Sequence, residues 1–251
     1  MTMADATPLP LAEHSLRELA NAYGSDKGDR INCAHDFVRI YQRILATCRE
    51  APLRIAEIGL IHVYTQAEYA GRLDQTGCPS LRMWADYLPK AEVYGLDIAD
   101  LVDLGGGRIH IARGDQGNRA DLEAFARSHG PFDIIIDDGS HASHHPQSTL
   151  ATLVPHLAPG GLYVIEDLHF QPSELEVEGI SKTRDVLRRM AFPGQLLKLP
   201  ITQAEYAYLL ANVAAVSFFD SLSPKWSAQQ AEDALAVIRK RGEHGLLPAQ
   251  W

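Results

Sequence analysis

The sequence is poor in the features that mark exported and membrane-spanning proteins. Its three cysteines, Cys33, Cys48 and Cys78, are odd in number and widely spaced, so they suggest neither a disulfide framework nor a paired metal-ligand motif. No apolar run approaches the roughly 20 residues needed to span a bilayer. The first residues also lack the basic segment and apolar core of a signal peptide. These absences predict a soluble protein that stays in a reducing cytoplasm.

Positive charge is also scarce. The 251 residues include 32 acidic and 23 basic side chains, which gives a net charge of -9 at pH 7. Such a balance works against a surface built to bind a phosphate backbone. With 46% hydrophobic residues, the chain can bury one large core. We therefore expect a small-molecule substrate and no nucleic-acid or membrane partner.

Apolar runs typical of strands alternate with segments of helical spacing along most of the chain. Five strands are predicted, at residues 53–60, 93–98, 108–112, 133–137 and 162–165. Helices are predicted at residues 11–23, 35–48, 80–88, 121–129, 146–157, 182–190 and 203–211, the third of them capped by Ser80. This alternation implies right-handed crossovers and an α/β fold with a doubly wound, mostly parallel sheet.

The rest of the chain is predicted to extend this sheet and to close over it. Two late strand-like runs, at residues 213–220 and 234–239, predict an antiparallel hairpin at the C-terminal edge. Residues 1–50 are interpreted as an N-terminal helical extension and residues 51–251 as the domain that contains the sheet. The aperiodic loop at residues 61–79 and a second at residues 168–180 are candidates for lids.

Two predicted strands end abruptly in acidic residues. The apolar run before Asp138 and the run before Glu166 and Asp167 both end in carboxylates. Because ligands of open parallel sheets bind outside the carboxyl ends of the strands, these acids should line one crevice. Carboxylate oxygens are hard donors that suit Mg²⁺, Ca²⁺ or Mn²⁺ better than zinc. Asp137 alternates to the other side of its strand, where it should face a cofactor or the core.

A histidine follows the first of these acidic ends. His141 lies three residues after Asp138, and an imidazole with a pKa near neutrality suits a general base. One alternative is a zinc hydrolase site made of Asp138, His141, His144 and His145. Another is that the carboxylates point to separate hydrogen bonds or to solvent.

Polar residues after the first three strands are candidates for binding a nucleoside cofactor. Glu57 lies two residues before Gly59 at a strand end, a common arrangement for this purpose. The G-x-G-x-x-G motif is absent and Asp97 follows Gly59 by 38 residues rather than about 20, which disfavours a nicotinamide cofactor. Asp97 could accept hydrogen bonds from a ribose diol. Asp115 or Gln116 could bind an adenine amino group.

These motifs resemble those of the metal-dependent, S-adenosylmethionine-dependent O-methyltransferases that modify deoxysugars on macrolides and related natural products. The resemblance covers residues 23–28, 56–59, 80–84, 94–98, 114–116, 136–141 and 159–168. It implies that residues 51–251 form an S-adenosylmethionine-dependent methyltransferase domain with the class I, Rossmann-like fold, and that this domain binds Mg²⁺. It also implies a glycosylated small molecule as the substrate, a homo-oligomer, and a chain that comprises the catalytic domain alone.

The resemblance further implies a role for each site residue. Asp138, Glu166 and Asp167 match the Mg²⁺ ligands, and His141 matches the catalytic base. Cofactor contacts would fall on Tyr23, Ser25, Lys27, Glu57, Gly59, Asp97, Asp115, Gln116 and Asp137. Competing interpretations are a catechol-type O-methyltransferase, a zinc hydrolase and a nucleoside-binding protein without catalytic activity.

Overall fold

The computed structural model describes residues 14–30, 34–61, 77–191 and 197–248. Seven strands form one sheet in the order β3-β2-β1-β4-β5-β7-β6. The strands are β1 Arg54–Ile58, β2 Glu92–Asp97, β3 Ile109–Arg113, β4 Phe132–Asp137, β5 Leu157–Ile165, β6 Val213–Phe219 and β7 Leu235–Lys240. The α-helices of the described residues are α1 Leu16–Tyr23, α2 Val38–Leu45, α3 Pro79–Tyr87, α4 Arg119–His129, α5 His144–Leu153, α6 Thr183–Ala191, α7 Gln203–Asn212 and α8 Ala228–Ala231.

The sheet is parallel except at one edge. Strand β1 pairs in parallel with β2 and β4, and the outer pairs β2–β3 and β4–β5 are parallel as well. Strand β7 lies between β5 and β6 and is antiparallel to both. The doubly wound sheet with an antiparallel C-terminal hairpin is therefore confirmed. The strand order reverses direction between β1 and β4, which is where open α/β sheets bind their ligands.

Both faces of the sheet are buried, because its central strands are apolar on both sides. On one face, Ile55 and Ile134 join a core with the first three helices. On the other face, Ile135 and Tyr163 pack with side chains of α4 and α5. The helices of residues 1–50 thus share a core with the sheet, and a domain boundary at residue 50 stays a prediction.

Several predicted boundaries differ from the structure. The prediction that Ser80 caps a helix is wrong: α3 begins at Pro79, after Cys78 in a left-handed conformation (φ 54°), and Ser80 is buried in the first turn. Proline suits this first position because its φ is already helical and it has no N–H to cap. Helix α1 begins at Leu16, because Ser15 and Glu18 form a capping box, and residues 11–13 of the predicted helix lie outside the described part of the chain.

Strand β5 is longer than predicted. It begins at Leu157, so the glycines and proline of residues 159–161, predicted as a turn, lie inside the strand. The pairing of β4 with β5 shifts register between Phe132 and Ile134, which accommodates them. Of the predicted lid at residues 61–79, residues 62–76 lie outside the described part of the chain. In the described residues, no helix is both long and apolar enough to cross a membrane.

Candidate metal centre

The carboxyl ends of β1, β4 and β5 bring acidic side chains together around one buried lysine. The Lys27 ammonium lies 2.5 Å from Asp138 Oδ2, 3.1 Å from Glu166 Oε2 and 3.3 Å from Glu57 Oε1, and its side chain is 1% exposed. Burial alone would lower the pKa of Lys27, but the three carboxylates raise it well above its usual value. The predicted convergence of strand-end acids on one crevice is therefore observed. Lys27, predicted to contact a cofactor, is at its centre.

Three groups form the open side of this cluster. Asp138, His141 and Asp167 each place a possible ligand atom within 4.8 Å of the other two. Their side chains are 19%, 16% and 18% exposed, so a small molecule can reach them. His141 and Asp167 have φ values of 59° and 53°, a left-handed conformation that costs non-glycine residues on the order of 1 kcal/mol or more. The fold thus holds two candidate functional residues, His141 and Asp167, in strained backbone conformations.

Glu166 lies behind this opening and is 3% exposed. The Tyr41 hydroxyl donates to Glu166 Oε1 at 2.5 Å, while the Lys27 ammonium faces Oε2. Burial raises the pKa of Glu166 well above its usual range, against the opposing effect of Lys27. For Asp167, burial and then the charge of Asp138 raise the pKa strongly. A cluster of anions short of positive charge is one that a cation would stabilise.

Two histidines on the far side of Asp167 were not predicted as site residues. His35 Nε2 lies 3.4 Å from Asp167 Oδ1, and His169 Nδ1 lies 3.9 Å from the same oxygen. Burial lowers the pKa of His35 to about 3 and that of His169 to about 4, so both rings are neutral at pH 7. The position of His169, two residues after Asp167, is the feature of the sequence that could have identified it as a site residue. For His35, the sequence shows only that it precedes α2.

The end of β1 is shaped by Gly59 and Glu57. Gly59 has a φ of 84°, and a Cβ there would meet the Asp138 carbonyl oxygen at 2.2 Å, so only glycine allows this close approach of two strand ends. Glu57 is 1% exposed and accepts a hydrogen bond from Trp84 Nε1 at 2.7 Å. Burial raises the pKa of Glu57. Both residues lie where the sequence predicted a cofactor site.

Asp97 ends β2 beside this position. Its Oδ2 accepts the Leu60 N–H at 2.7 Å and its Oδ1 accepts the Ala99 N–H at 2.8 Å. The carboxylate therefore fixes the backbone after β1 and after β2. Oδ2 also accepts the Ile61 N–H at 3.4 Å, so Oδ1 is the oxygen that keeps a second lone pair for the predicted ribose contact.

Asp137 and Gln116 form a buried pair on the opposite side of β4 from Asp138. Gln116 Nε2 donates to Asp137 Oδ1 at 2.6 Å and Gln116 Oε1 accepts the Ser140 N–H at 2.9 Å. The Tyr163 hydroxyl donates to Asp137 Oδ2 at 3.0 Å. Burial raises the pKa of Asp137 to about 6. The alternation that separated Asp137 from the metal candidates is thus present in the structure.

The remaining predicted cofactor residues make local contacts. Asp115 Oδ1 accepts the Gly117 N–H at 2.7 Å in the turn after β3. The Tyr23 hydroxyl donates to Asp86 and so links α1 to α3. Ser25 is buried in the turn that carries Lys27. Their contact with a cofactor stays a prediction.

The alternative zinc site is not assembled in the described residues. Possible metal-binding groups of three or more side chains comprise Asp138 with His141 and Asp167, and Asp167 with His35 and His169. His145 instead pairs through Nδ1 with Ser140 Oγ at 2.6 Å, and its ring lies against that of His144. The set of Asp138, His141, His144 and His145 is therefore not a metal centre in this arrangement.

Comparison with known proteins places the chain close to sugar O-methyltransferases, although no family model matches it. It is 40% identical over 153 residues to mycinamicin VI 2''-O-methyltransferase of Micromonospora griseorubida, which covers 61% of this chain and 36% of the relative. It is 38% identical over 170 residues to 8-demethyl-8-alpha-L-rhamnosyl tetracenomycin-C 2'-O-methyltransferase of Streptomyces olivaceus, covering 67% of this chain and 40% of that one. The matched segment thus spans less than half the length of these curated relatives.

A solved structure of similar fold supports the same relationship. MycE methyltransferase from the mycinamycin biosynthetic pathway, in complex with Mg, SAH and mycinamycin VI, is 28% identical, with a TM-score of 0.67. The match covers 94% of this chain and 57% of that chain. The predicted resemblance to sugar O-methyltransferases and the class I methyltransferase fold are therefore confirmed.

Proposed function

We propose that this protein is a Mg²⁺-dependent O-methyltransferase that moves a methyl group from S-adenosylmethionine to a sugar hydroxyl of a glycosylated small molecule. The observation that carries the proposal is the placement of His141 beside Asp138 and Asp167 at the open side of the carboxylate cluster. The similar proteins are named as O-methyltransferases of mycinamicin VI and of a rhamnosyl tetracenomycin.

The donor set of the cluster fits a hard divalent cation. Asp138 and Asp167 place ligand atoms within 4.8 Å of each other, whereas Glu166 joins no such group in the described residues and its oxygens face Tyr41 and Lys27. These three carboxylates would hold the cation, and they offer only oxygen atoms. Within this cluster the Lys27 ammonium supplies one positive charge against those three carboxylates and Glu57. Bound Mg²⁺ would supply Lewis acidity that lowers the pKa of a substrate hydroxyl.

The crevice between β1 and β4 fits the proposed cofactor, S-adenosylmethionine, which would supply the activated methyl group. Glu57 Oε1 is buried and accepts no hydrogen bond from the described residues, although Lys27 lies 3.3 Å away. Gly59 keeps the backbone at the strand end free of a side chain, and Asp97 holds two loops at the next strand end. We propose cofactor contacts for these residues and for Tyr23, Ser25, Lys27, Asp115, Gln116 and Asp137.

His141 is the residue that we propose accepts the proton of the sugar hydroxyl. Its Nε2 lies 3.8 Å from Asp167 Oδ2, so the carboxylate can orient the ring and stabilise it once it is protonated. General-base catalysis of this kind contributes roughly 10²–10⁴-fold to a rate. Asp138, whose ligand atom lies within 4.8 Å of that of His141, would help to hold the cation beside this base.

The test is a methyl-transfer assay on a panel of deoxysugar glycosides and catechols, with product detected by mass spectrometry. We expect transfer to a glycoside, reversible inhibition by EDTA, and a loss of about 10²–10⁴-fold in His141→Ala with cofactor binding intact. The control is His156→Ala, which removes a surface imidazole that pairs with Glu123. Full activity in chelator would contradict the metal role, and transfer to catechols alone would make the enzyme a catechol-type methyltransferase.

We also propose that the protein acts in the cytoplasm as a homo-oligomer, without a nucleic-acid or membrane partner. The net charge of -9 disfavours phosphate backbones. Cys48 and Cys78 are buried free thiols, as a reducing compartment allows. Light scattering coupled to gel filtration measures the oligomeric state, and a mass equal to 27.6 kDa would contradict an oligomer.

A further inference from the structure

The two oxygens of Asp167 face different groups of side chains. Oδ2 lies toward His141 at 3.8 Å, on the side of Asp138. Oδ1 lies toward His35 Nε2 at 3.4 Å and toward His169 Nδ1 at 3.9 Å. The carboxylate therefore stands between the proposed Mg²⁺ site and a separate pair of imidazoles.

The side that carries these imidazoles is buried and unsatisfied. His35 is 3% exposed and the His169 side chain is 1% exposed. His35 Nε2, Asp167 Oδ1 and both ring nitrogens of His169 find no hydrogen-bond partner among the described residues. A buried polar atom without a partner costs roughly 1–3 kcal/mol. A ligand bound between the unpartnered atoms of His35, Asp167 and His169 would remove this cost.

Both rings are held in place by groups outside the cluster. His35 Nδ1 pairs with Ser221 Oγ at 2.8 Å and its ring stacks on Phe37 at 4.7 Å, which turns Nε2 toward Asp167. The His169 ring stands edge-on to Trp226 at 4.9 Å. For His35, the partner on Nδ1 fixes the tautomer and direction of the ring, as such partners do for metal-binding histidines.

We propose that His35, Asp167 and His169 form a second metal site, for a borderline divalent ion such as Zn²⁺, and that Asp167 bridges it to the Mg²⁺ site. Two imidazoles and a carboxylate are typical zinc ligands, whereas Mg²⁺ takes oxygen atoms. Bonds of about 2.0–2.1 Å in a tetrahedral site separate ligand atoms by roughly 3.3 Å. The observed 3.4 Å and 3.9 Å need little adjustment to match this value.

This second site goes beyond methyl transfer and does not depend on it. An ion at Asp167 Oδ1 would fix the carboxylate from the side opposite His141. The site would therefore set the direction of Oδ2, which faces the catalytic opening. Its occupancy can be measured without any substrate.

The test is a metal titration of the purified full chain after treatment with EDTA and dialysis. Mg²⁺ is kept saturating throughout so that the oxygen site is filled, and Zn²⁺ is then added against a chromophoric indicator. We expect one tightly bound Zn²⁺ per chain, and native mass spectrometry should show one Zn²⁺ together with one Mg²⁺. Co²⁺ in place of Zn²⁺ should give the visible absorption of a low-coordinate site with nitrogen ligands.

Variants locate the bound ion. His35→Gln and His169→Gln should each weaken Zn²⁺ binding by more than the roughly 10–100-fold that changes outside the ligand set cause. Their Mg²⁺ affinity should change by no more than a few fold. The control is His110→Gln, which removes a half-exposed imidazole that pairs with Glu92 at 2.7 Å.

Two results would overturn the proposal. One is the absence of a Zn²⁺ equivalent in the wild-type protein while Mg²⁺ is saturating, a measurement that needs no variant to fold. The other is displacement of Mg²⁺ by Zn²⁺ one for one, with no effect of His35→Gln or His169→Gln. A failed methyl-transfer assay alongside a bound Zn²⁺ would contradict the proposed function and leave the second site standing.

Discussion

Lys27 links the N-terminal turn to the ends of three strands. Its side chain is almost completely buried, and its ammonium contacts Glu57, Asp138 and Glu166. Residue patterns near Lys27 do not reveal these partners, since Asp138 lies 111 residues away along the chain. The sequence predicted a cofactor contact, whereas the structure shows a counter-charge for the metal candidates. Both roles can be tested at this one position.

The first prediction concerns Lys27→Met, which should destabilise the protein by roughly 3–5 kcal/mol in urea unfolding without metal, because it leaves buried carboxylates uncompensated. Saturating Mg²⁺ should restore part of the loss. Lys90→Met is the control, since Lys90 is 61% exposed and forms only a surface ion pair with Glu50. Equal unfolding free energies for Lys27→Met and wild type would contradict the counter-charge role.

The same variant should show a defined dependence on pH. Burial raises the pKa values of Glu57 and Glu166, so the folded state binds their protons more tightly than the unfolded state does. As the pH falls through the pKa values that these groups have in the folded state, the folded state takes up protons before the unfolded state does. The contribution of these groups to folding stability therefore increases on acidification. We expect the deficit of Lys27→Met to be smaller at pH 5 than at pH 8. A deficit that grows on acidification would show that other groups dominate.

A second prediction at this scale compares two glycines. Gly59→Ala should cost more than about 1 kcal/mol, because φ is 84° and the Cβ would meet the Asp138 carbonyl oxygen at 2.2 Å. Gly106→Ala should stay within about 0.5 kcal/mol of wild type, since a Cβ there meets nothing within 4 Å. Thermal and urea unfolding of both variants measure the difference. Equal costs would mean that the close approach of the strand ends is not required.

At the scale of elements, two helices on one face of the sheet orient the strand-end acids. Tyr41 on α2 donates to Glu166, and Trp84 on α3 donates to Glu57. The two rings contact each other edge to face at 4.9 Å, so the donors support one another. The helices therefore position the acids from behind the open side of the site.

The third prediction follows from this support. Tyr41→Phe should weaken Mg²⁺ binding by about 10–100-fold, the usual effect of losing a hydrogen bond to a metal ligand, while the fold is retained. Isothermal titration with Mg²⁺ measures it. Tyr87→Phe is a matched control, because Tyr87 is a buried tyrosine on α3 whose ring packs against Arg49. An unchanged Mg²⁺ affinity in Tyr41→Phe would show that the hydrogen bond from α2 to Glu166 does not support metal binding.

The alternation of strands and helices could be predicted because periodicity is a local property of the sequence. The acids at the ends of β4 and β5 followed from it, since parallel strands end at the same edge. His35, Tyr41 and Trp84 could not be predicted as site residues, because only tertiary packing brings them to Asp167, Glu166 and Glu57. The start of α3 was misplaced because serine is a common cap and the left-handed Cys78 has no sequence signature.

At the scale of the whole molecule, metal binding should be coupled to folding. A ligand at 100 times its Kd stabilises the folded state by about 2.7 kcal/mol, which for a chain of this size raises the Tm by roughly 5–10 °C. The fourth prediction is that Mg²⁺ at this saturation produces such a shift in thermal unfolding. NaCl at equal ionic strength is the control, and Asp138→Asn should abolish the response. A Tm shift that persists in Asp138→Asn would place the ion elsewhere.

The position of β7 between β5 and β6 also bears on the order in which a growing chain can fold. The segment after Asp167 is held by a hydrogen bond from the Leu168 N–H to the Ala234 carbonyl, and Ile165 pairs with Ala236. The side chains of His35 and Ser221, which pair at 2.8 Å, belong to residues 186 positions apart in the chain. On the ribosome, Glu166 and Asp167 are therefore made long before the strand that fixes them. Until residue 240 has emerged, the edge of β5 is open to pairing with other nascent chains.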